Sequence, residues 1–193
     1  MEILGKIFNS PARVKIMRLF LSNQNKVFTN KEIAKRSRIN PDTIRREIKL
    51  LDSVGFIKKR SAGAVFNTSF KYIKEFEGLL ISSDTLDKDA IVNIFKKVGR
   101  VKLLIISGVF IKNKESRVDI LIVGDKMNKS KIEEGMRKIE AEMGIELVYA
   151  TFTTKDFIYR LNMYDKLVRD VLDFPHQVIF QAKELSTQVL KKA

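Results

Sequence analysis

The sequence predicts an α+β protein in two parts, and three observations predict it. Two cap-plus-proline pairs, Ser10-Pro11 and Asn40-Pro41, and a Thr29 to Glu32 capping pattern start three helices within the first fifty residues. Nearly continuous apolar runs at 101–107 and 117–123 suit buried strands. Between the second run and a third at 145–150, Ile132, Met136, Ile139 and Met143 recur at helical spacing. The expected division is 1–72, helices closed by a hairpin; 73–100, a connecting helical segment; 101–175, a small α/β domain with a mixed sheet; and 176–193, a tail.

In the first part, Ile16, Met17, Phe20 and Leu21 mark the inner face of a helix that Ser10 caps. Val27-Phe28 reads as a short strand. The capping pair Thr29 and Glu32 opens a second helix that runs to about Ser37, with Ile33 and Ala34 inward. A short connection through Arg38 and Ile39 leads to INPDTIRREIKLLDSVGF, where Asn40 caps and Pro41 takes the first helical position because its missing N–H would be unpaired there anyway. Ile44, Ile48 and Leu51 form its apolar stripe, and Thr43, Arg45, Arg46 and Lys49 hold the other faces; the bland alternative for Arg45 and Arg46 is an ordinary solvated face with Glu47 nearby. Gly55 suits the left-handed residue after the helix. Strands at 56–60 and 65–72 flank Ser61-Ala62-Gly63-Ala64 as a hairpin tip. Two helices joined by a tight turn, followed by that hairpin, are a helix-turn-helix with a β-ribbon behind it.

In 73–100, Phe76, Leu79, Leu80 and Ile81 make an apolar patch that Ser82-Ser83-Asp84 breaks. Asp87 then caps a helix carrying Ile91, Ile94, Phe95 and Val98, which Gly99 ends. The α/β part begins with VKLLIIS, turns at Gly108, and continues with the strand 117–123 closed by Gly124-Asp125. A helix capped by Ser130 and Glu133 and stopped by Gly144 follows, then the strand 145–150, a helix capped by Thr153 and Asp156, and a last helix over about 164–172. Ile179, Leu185 and Val189 give the tail an amphipathic pattern. The lone His176 has no nearby His or Cys and reads as a packed or turn residue.

The net charge of +14 is uneven: residues 1–75 hold 17 Lys or Arg against 6 Asp or Glu, the remainder 20 against 17. A phosphate backbone is the partner that rewards such a surface, since each neutralised phosphate releases condensed counterion; a plain basic surface or attraction to anionic lipid is the alternative. With no Cys and one His, the usual zinc, iron-sulfur and haem ligand sets are excluded, while oxygen-ligated Mg²⁺ stays open. No cofactor is expected. No apolar run reaches 18 residues, and MEILGKIF lacks the basic-then-apolar order of a signal peptide, so the expectation is a cytoplasmic protein with no membrane partner.

The segment IAKRSRINPDTIRREIKLLDSVGFIKKR resembles the DNA-binding domains of ArsR-like and MarR-like winged helix-turn-helix regulators over roughly residues 8–72. That resemblance implies double-stranded DNA as partner, base reading by Asn40, Thr43, Arg45, Arg46 and Lys49, and backbone contact by Lys58, Lys59 and Arg60. Chemistry agrees with the transfer, because an Arg fork can bond guanine O6 and N7 together. Arg45 and Arg46, about 100° apart around the helix, point differently, so one can read bases while the other grips phosphate. RNA is the alternative backbone.

Strand, loop, strand, helix, strand, helix over residues 88–175 resembles the minimal nucleotidyltransferase fold. In that family a Gly-Ser pair closes the first strand, a D-x-D on the second binds Mg²⁺, and a third carboxylate follows. Here Gly108 precedes Val109 rather than Ser, Asp119 has Leu121 at i+2, and Glu146 stands near the third position. Gly108, Asp119 and Glu146 are therefore the vestige of a nucleotide or metal site with no catalytic residue and no metal, and the domain is expected to be silent as an enzyme. The bland reading pairs Asp119 with Arg117 or Lys102, leaves Glu146 solvated on an edge strand, and makes Asp125 a turn residue.

Together these readings imply a sequence-specific transcriptional regulator whose second domain serves dimerisation or the sensing of a small-molecule or nucleotide effector. A homodimer is expected because a single such helix reads only a few base pairs. The competing expectations are an active Mg²⁺-dependent nucleotidyltransferase and an antitoxin-like or other protein-interaction module.

Overall fold

The computed structural model describes residues 3–81, 86–113 and 115–185, and the protein is a mixed α+β fold. It divides into two compact units, one comprising 1–85 with 137–146 and the other 86–136 with 147–193.

In the first unit a short helix α1 (Ile3–Ile7) precedes α2 (Pro11–Leu21), where Pro11 takes the first position and Ser10 Oγ accepts from the Arg13 N–H. Helix α3 (Asn30–Ser37) begins at the expected capping box, with Thr29 and Glu32 each accepting from the other's backbone N–H. The bonds that the Thr29 N–H and hydroxyl donate to the Glu32 carboxylate lower its pKa. Arg38 adopts the left-handed region and turns the chain within three residues into α4 (Pro41–Ser53). The core joins Phe20, Phe28, Ile33, Ile44, Ile48 and Leu51, so each helix contributes the face its spacing foretold.

The hairpin is shorter and tighter than expected. Strand β1 (Ile57–Arg60) pairs antiparallel with β2 (Gly63–Phe66), and Arg60 opposite Gly63 leaves only Ser61-Ala62 as the tip. Ala64 exchanges both backbone hydrogen bonds with Phe28, which draws residues 63 and 64 into the strand. Gly63 has φ +143°, and a Cβ there would lie 2.3 Å from the Phe28 carbonyl oxygen, so no other residue fits the bridge. Strand β2 stops at Phe66 rather than Tyr72 because Asn67 turns the chain: its Oδ1 accepts from Ser69 N–H and its Nδ2 donates to Gly55 O. Phe56 packs edge-on against Phe66 and Phe70 at 5.2 Å and seats the ribbon on the core. Helix α5 (Ile73–Leu80) adds Phe76 and Leu80; the break expected at 82–84 lies outside the described residues.

The second unit starts with α6 (Lys88–Phe95), capped by Asp87 as expected. Strand β3 (Arg100–Ile106) leads through a 3₁₀ turn (Gly108–Ile111) to β4 (Ile120–Asp125). Helix α7 (Lys129–Met143) begins in this unit and ends in the first. Its cap is Asn128, whose Oδ1 accepts from Lys131 N–H, and not the Ser130 and Glu133 pair. Strand β5 (Tyr149–Phe152) lies later than the expected 145–150, and α8 (Thr154–Asn162), capped by Thr153, and α9 (Lys166–Asp173) follow.

The tail corrects the sequence reading most plainly. Residues 177–181 form β6 (Gln177–Gln181), antiparallel to β3, and complete a mixed sheet of order β5-β4-β3-β6 in which only β4 and β5 are parallel. Residues 186–193, the rest of the expected amphipathic tail, lie outside the described residues. Leu103, Ile105, Leu121 and Val123 project from one face of the sheet onto Phe157, Val168 and Val171. Among the described residues no helix is long and apolar enough to cross a membrane.

Candidate nucleic-acid interface

Helix α4 carries the densest expected site, and its burial pattern sets which residues face out. Ile44, Glu47, Ile48 and Leu51 are buried. With a step of about 100° per residue, Arg45, Arg46 and Lys49 then fall within an arc of about 100° on the opposite side. The side chains of Arg45 and Arg46 are 68% and 75% exposed. Arg45 pairs with Asp42 at 2.9 Å, an exposed i,i+3 contact worth less than about 1 kcal/mol and easily exchanged for another anion. Lys49 is exposed and has no ion-pair partner among the described residues. Asn40 and Thr43 stand at the start of the helix: Asn40 Oδ1 accepts from Thr43 N–H at 2.8 Å, which leaves the Asn40 amide nitrogen to donate outward, while Thr43 is half-buried.

Glu47 is not part of a solvated face. It is buried and accepts from Ser10 Oγ and from Arg13 Nε, each at 2.8 Å. Arg13 also donates to Phe8 O at 3.0 Å. The spacing held the signal, since positions 44, 47, 48 and 51 are one continuous stripe, and a carboxylate inside such a stripe needs a buried cation. This network ties the centre of α4 to the N-terminus of α2, so the outward residues ride on a fixed helix.

On the hairpin, alternation puts Ile57 and Lys59 on one face of β1 and Lys58 and Arg60 on the other. All three basic residues are exposed. Lys59 reaches Asp52 of α4 at 3.3 Å, whereas Lys58 and Arg60 have no ion pair among the described residues. Chemically, the helix face and the ribbon offer guanidinium forks and ammonium groups to oxyanions or to the acceptor edges of bases.

The second expected site is assembled differently. Gly108 and Asp119 do meet, and closely: a Cβ on Gly108, which has φ +56°, would lie 2.1 Å from Asp119 Oδ1. Asp119 precedes β4 instead of lying within it, so the strand alternation that would align it with residue 121 does not apply. Its carboxylate is buried and committed to backbone: Oδ1 accepts from Val109 N–H at 2.9 Å and Oδ2 from Val148 N–H at 2.8 Å. Arg117 pairs with Asp170 and Lys102 with Asp125 and Glu184, so neither is the partner expected for Asp119. Glu146 is not on a strand; it belongs to the first unit, where it pairs with Arg36 at 3.2 Å while 77% exposed. Asp125 is a strand-end residue, not a turn. It accepts from the Thr154 N–H and hydroxyl, and these bonds, with Lys102 beside them, lower its pKa. Among the described residues no three His, Cys, Asp or Glu side chains gather into a metal-binding cluster. No protein-family model matches the chain, and no curated protein or solved structure matches it.

Proposed function

We propose that the protein is a sequence-specific DNA-binding transcriptional regulator, with α3 and α4 as a helix-turn-helix, β1 and β2 as its wing, and α4 as the helix that enters the major groove. The observation that carries this reading is the two-sided α4: Arg45, Arg46 and Lys49 outward, Ile44, Glu47, Ile48 and Leu51 held inward. Arginine forks on such a helix read guanine edges, while Lys58 and Arg60 on the wing contact the adjacent phosphates. The unequal charge, concentrated in residues 1–75, supports the same partner.

The second unit acts as a catalytically silent, nucleotidyltransferase-like domain that serves dimerisation or effector sensing. The order β3, turn, β4, α7, β5, α8 supports the likeness. The silence is supported by an Asp119 whose two oxygens already hold backbone amides, and by the apolar, buried Leu121 at the sequence position of the pattern's second carboxylate. A homodimer would present two α4 helices to half-sites about one helical turn apart.

Selection of bound duplexes from a random DNA pool tests the reading. It predicts enrichment of an inverted repeat with guanine-containing half-sites. An unenriched pool, or selection of single-stranded RNA over duplex DNA in a parallel experiment, overturns it.

A further inference from the structure

The second unit holds a cavity of about 310 Å³ that follows β5 from Tyr149, its first residue, to the carboxyl ends of β4 and β5. Gly108 and Asp119 do not line it, although Tyr149 at its near end is in register with Ile120, the residue after Asp119. The crevice outside the carboxyl ends of parallel strands is where α/β sheets seat small ligands, because the chain must part there to enter its helices. Here it parts at Lys126, in the left-handed region at φ +52°, on the way to α7.

The lining has two chemical halves. Ile132 of α7 and Tyr149 make an apolar and aromatic wall, while the Phe152 ring turns to the other face of β5, where the Arg160 guanidinium lies over it at 5.1 Å. Lys126 and Lys129 line it, both exposed, and neither has an ion-pair partner among the described residues. Thr151 offers a hydroxyl between them. Asp156, the one acid in the lining, accepts from the Thr153 hydroxyl at 2.7 Å and keeps its other oxygen for a donor on the ligand. The volume falls at the lower end of the roughly 300–1,000 Å³ usual for small-molecule sites.

We propose that this cavity binds a small organic monophosphate with a planar body, of the class of a nucleoside monophosphate. The phosphate sits between Lys126 and Lys129, and the planar body lies on Tyr149 and Ile132. The site deepens the effector role proposed for the second unit, but it does not depend on α4 binding DNA.

Calorimetric titration of the full chain with AMP, adenosine and inorganic phosphate at fixed ionic strength tests it. The expected result is saturable binding of AMP, at least tenfold weaker for adenosine and for phosphate alone, and at least tenfold weaker in the Lys126→Ala, Lys129→Ala double variant. Both lysines are exposed, so that variant retains the fold, which circular dichroism checks. No saturation by AMP at millimolar concentration overturns the proposal. So does an affinity that the double variant leaves unchanged, or one that falls with Arg45→Ala plus Arg46→Ala instead, which would place the anion on α4. Because the readout contains no DNA, its failure is distinguishable from failure of the regulator reading.

Discussion

Arg13 Nε donates to the buried carboxylate of Glu47 at 2.8 Å, and this bond, with that from Ser10 Oγ, fastens the middle of α4 to the start of α2. A buried ion is costly to leave alone, so the pair should behave asymmetrically. Arg13→Ala leaves the Glu47 charge to Ser10 Oγ and to Arg46 Nε at 4.0 Å, and is expected to cost about 3 kcal/mol, since breaking a buried pair usually costs about 3–5 and Arg13 is partly exposed. Glu47→Gln, which retains a side-chain oxygen to accept, should cost less. Urea unfolding followed by circular dichroism reads both; equal losses below about 0.5 kcal/mol would remove the pair from the account.

Asp119 is predicted to be structural. Asp119→Ala leaves the Val109 and Val148 N–H groups without their acceptor and should destabilise the second unit by about 2–4 kcal/mol, at about 1–3 for each stranded donor with partial relief from water. Asp119→Asn keeps one acceptor oxygen and should recover part of that. Were Asp119 instead a metal ligand, millimolar Mg²⁺ would raise the melting temperature of the wild type and not of the alanine variant; no such difference is expected.

Acid should loosen the second unit. Asp165 is lowered by its hydrogen bond from Val168 N–H, with Arg160 adding to it, and Asp125 by its bonds from Thr154. Folding lowers both pKa values, so the unfolded chain takes up protons more readily. The stability these groups contribute is complete above the ordinary value of 3.8 and is lost as pH falls through the folded values below it. Lys102 runs the other way. Glu184 and Asp125 raise its pKa, so its contribution holds below the ordinary 10.5 and disappears as pH climbs past the folded value. Melting temperature against pH should fall at both ends, and Asp125→Asn should flatten the acid limb; an unaltered limb would contradict the assignment.

The caps at Ser10, Thr29, Asn40, Asp87 and Thr153 were legible in the sequence because capping is settled within three or four residues. Asn128 was displaced by Ser130 in the reading because both are good caps two residues apart, and only the packing of α7 chooses between them. Strand β6 stayed hidden for a different reason: QVIFQ becomes a strand by pairing with β3, more than seventy residues earlier, and nothing local announces that partner. The α4 arginines were placed on the correct face, since burial of Ile44, Ile48 and Leu51 leaves them nowhere else to go. The use of Asp119 was not legible, because its partners Val109 and Val148 are backbone amides, which leave no trace in residue identity.

The central claim is that the outward face of α4 carries recognition, and gel-shift titration of Arg45→Ala plus Arg46→Ala on the selected duplex tests it most directly. Loss of even one bidentate guanine contact, worth about 1–3 kcal/mol, predicts a complex at least about fivefold weaker with an unchanged melting temperature. Binding by the wild type should also weaken by about 10³ or more between 50 and 200 mM salt if six or more phosphates are contacted. An affinity for the selected duplex that the double variant leaves intact would contradict the account.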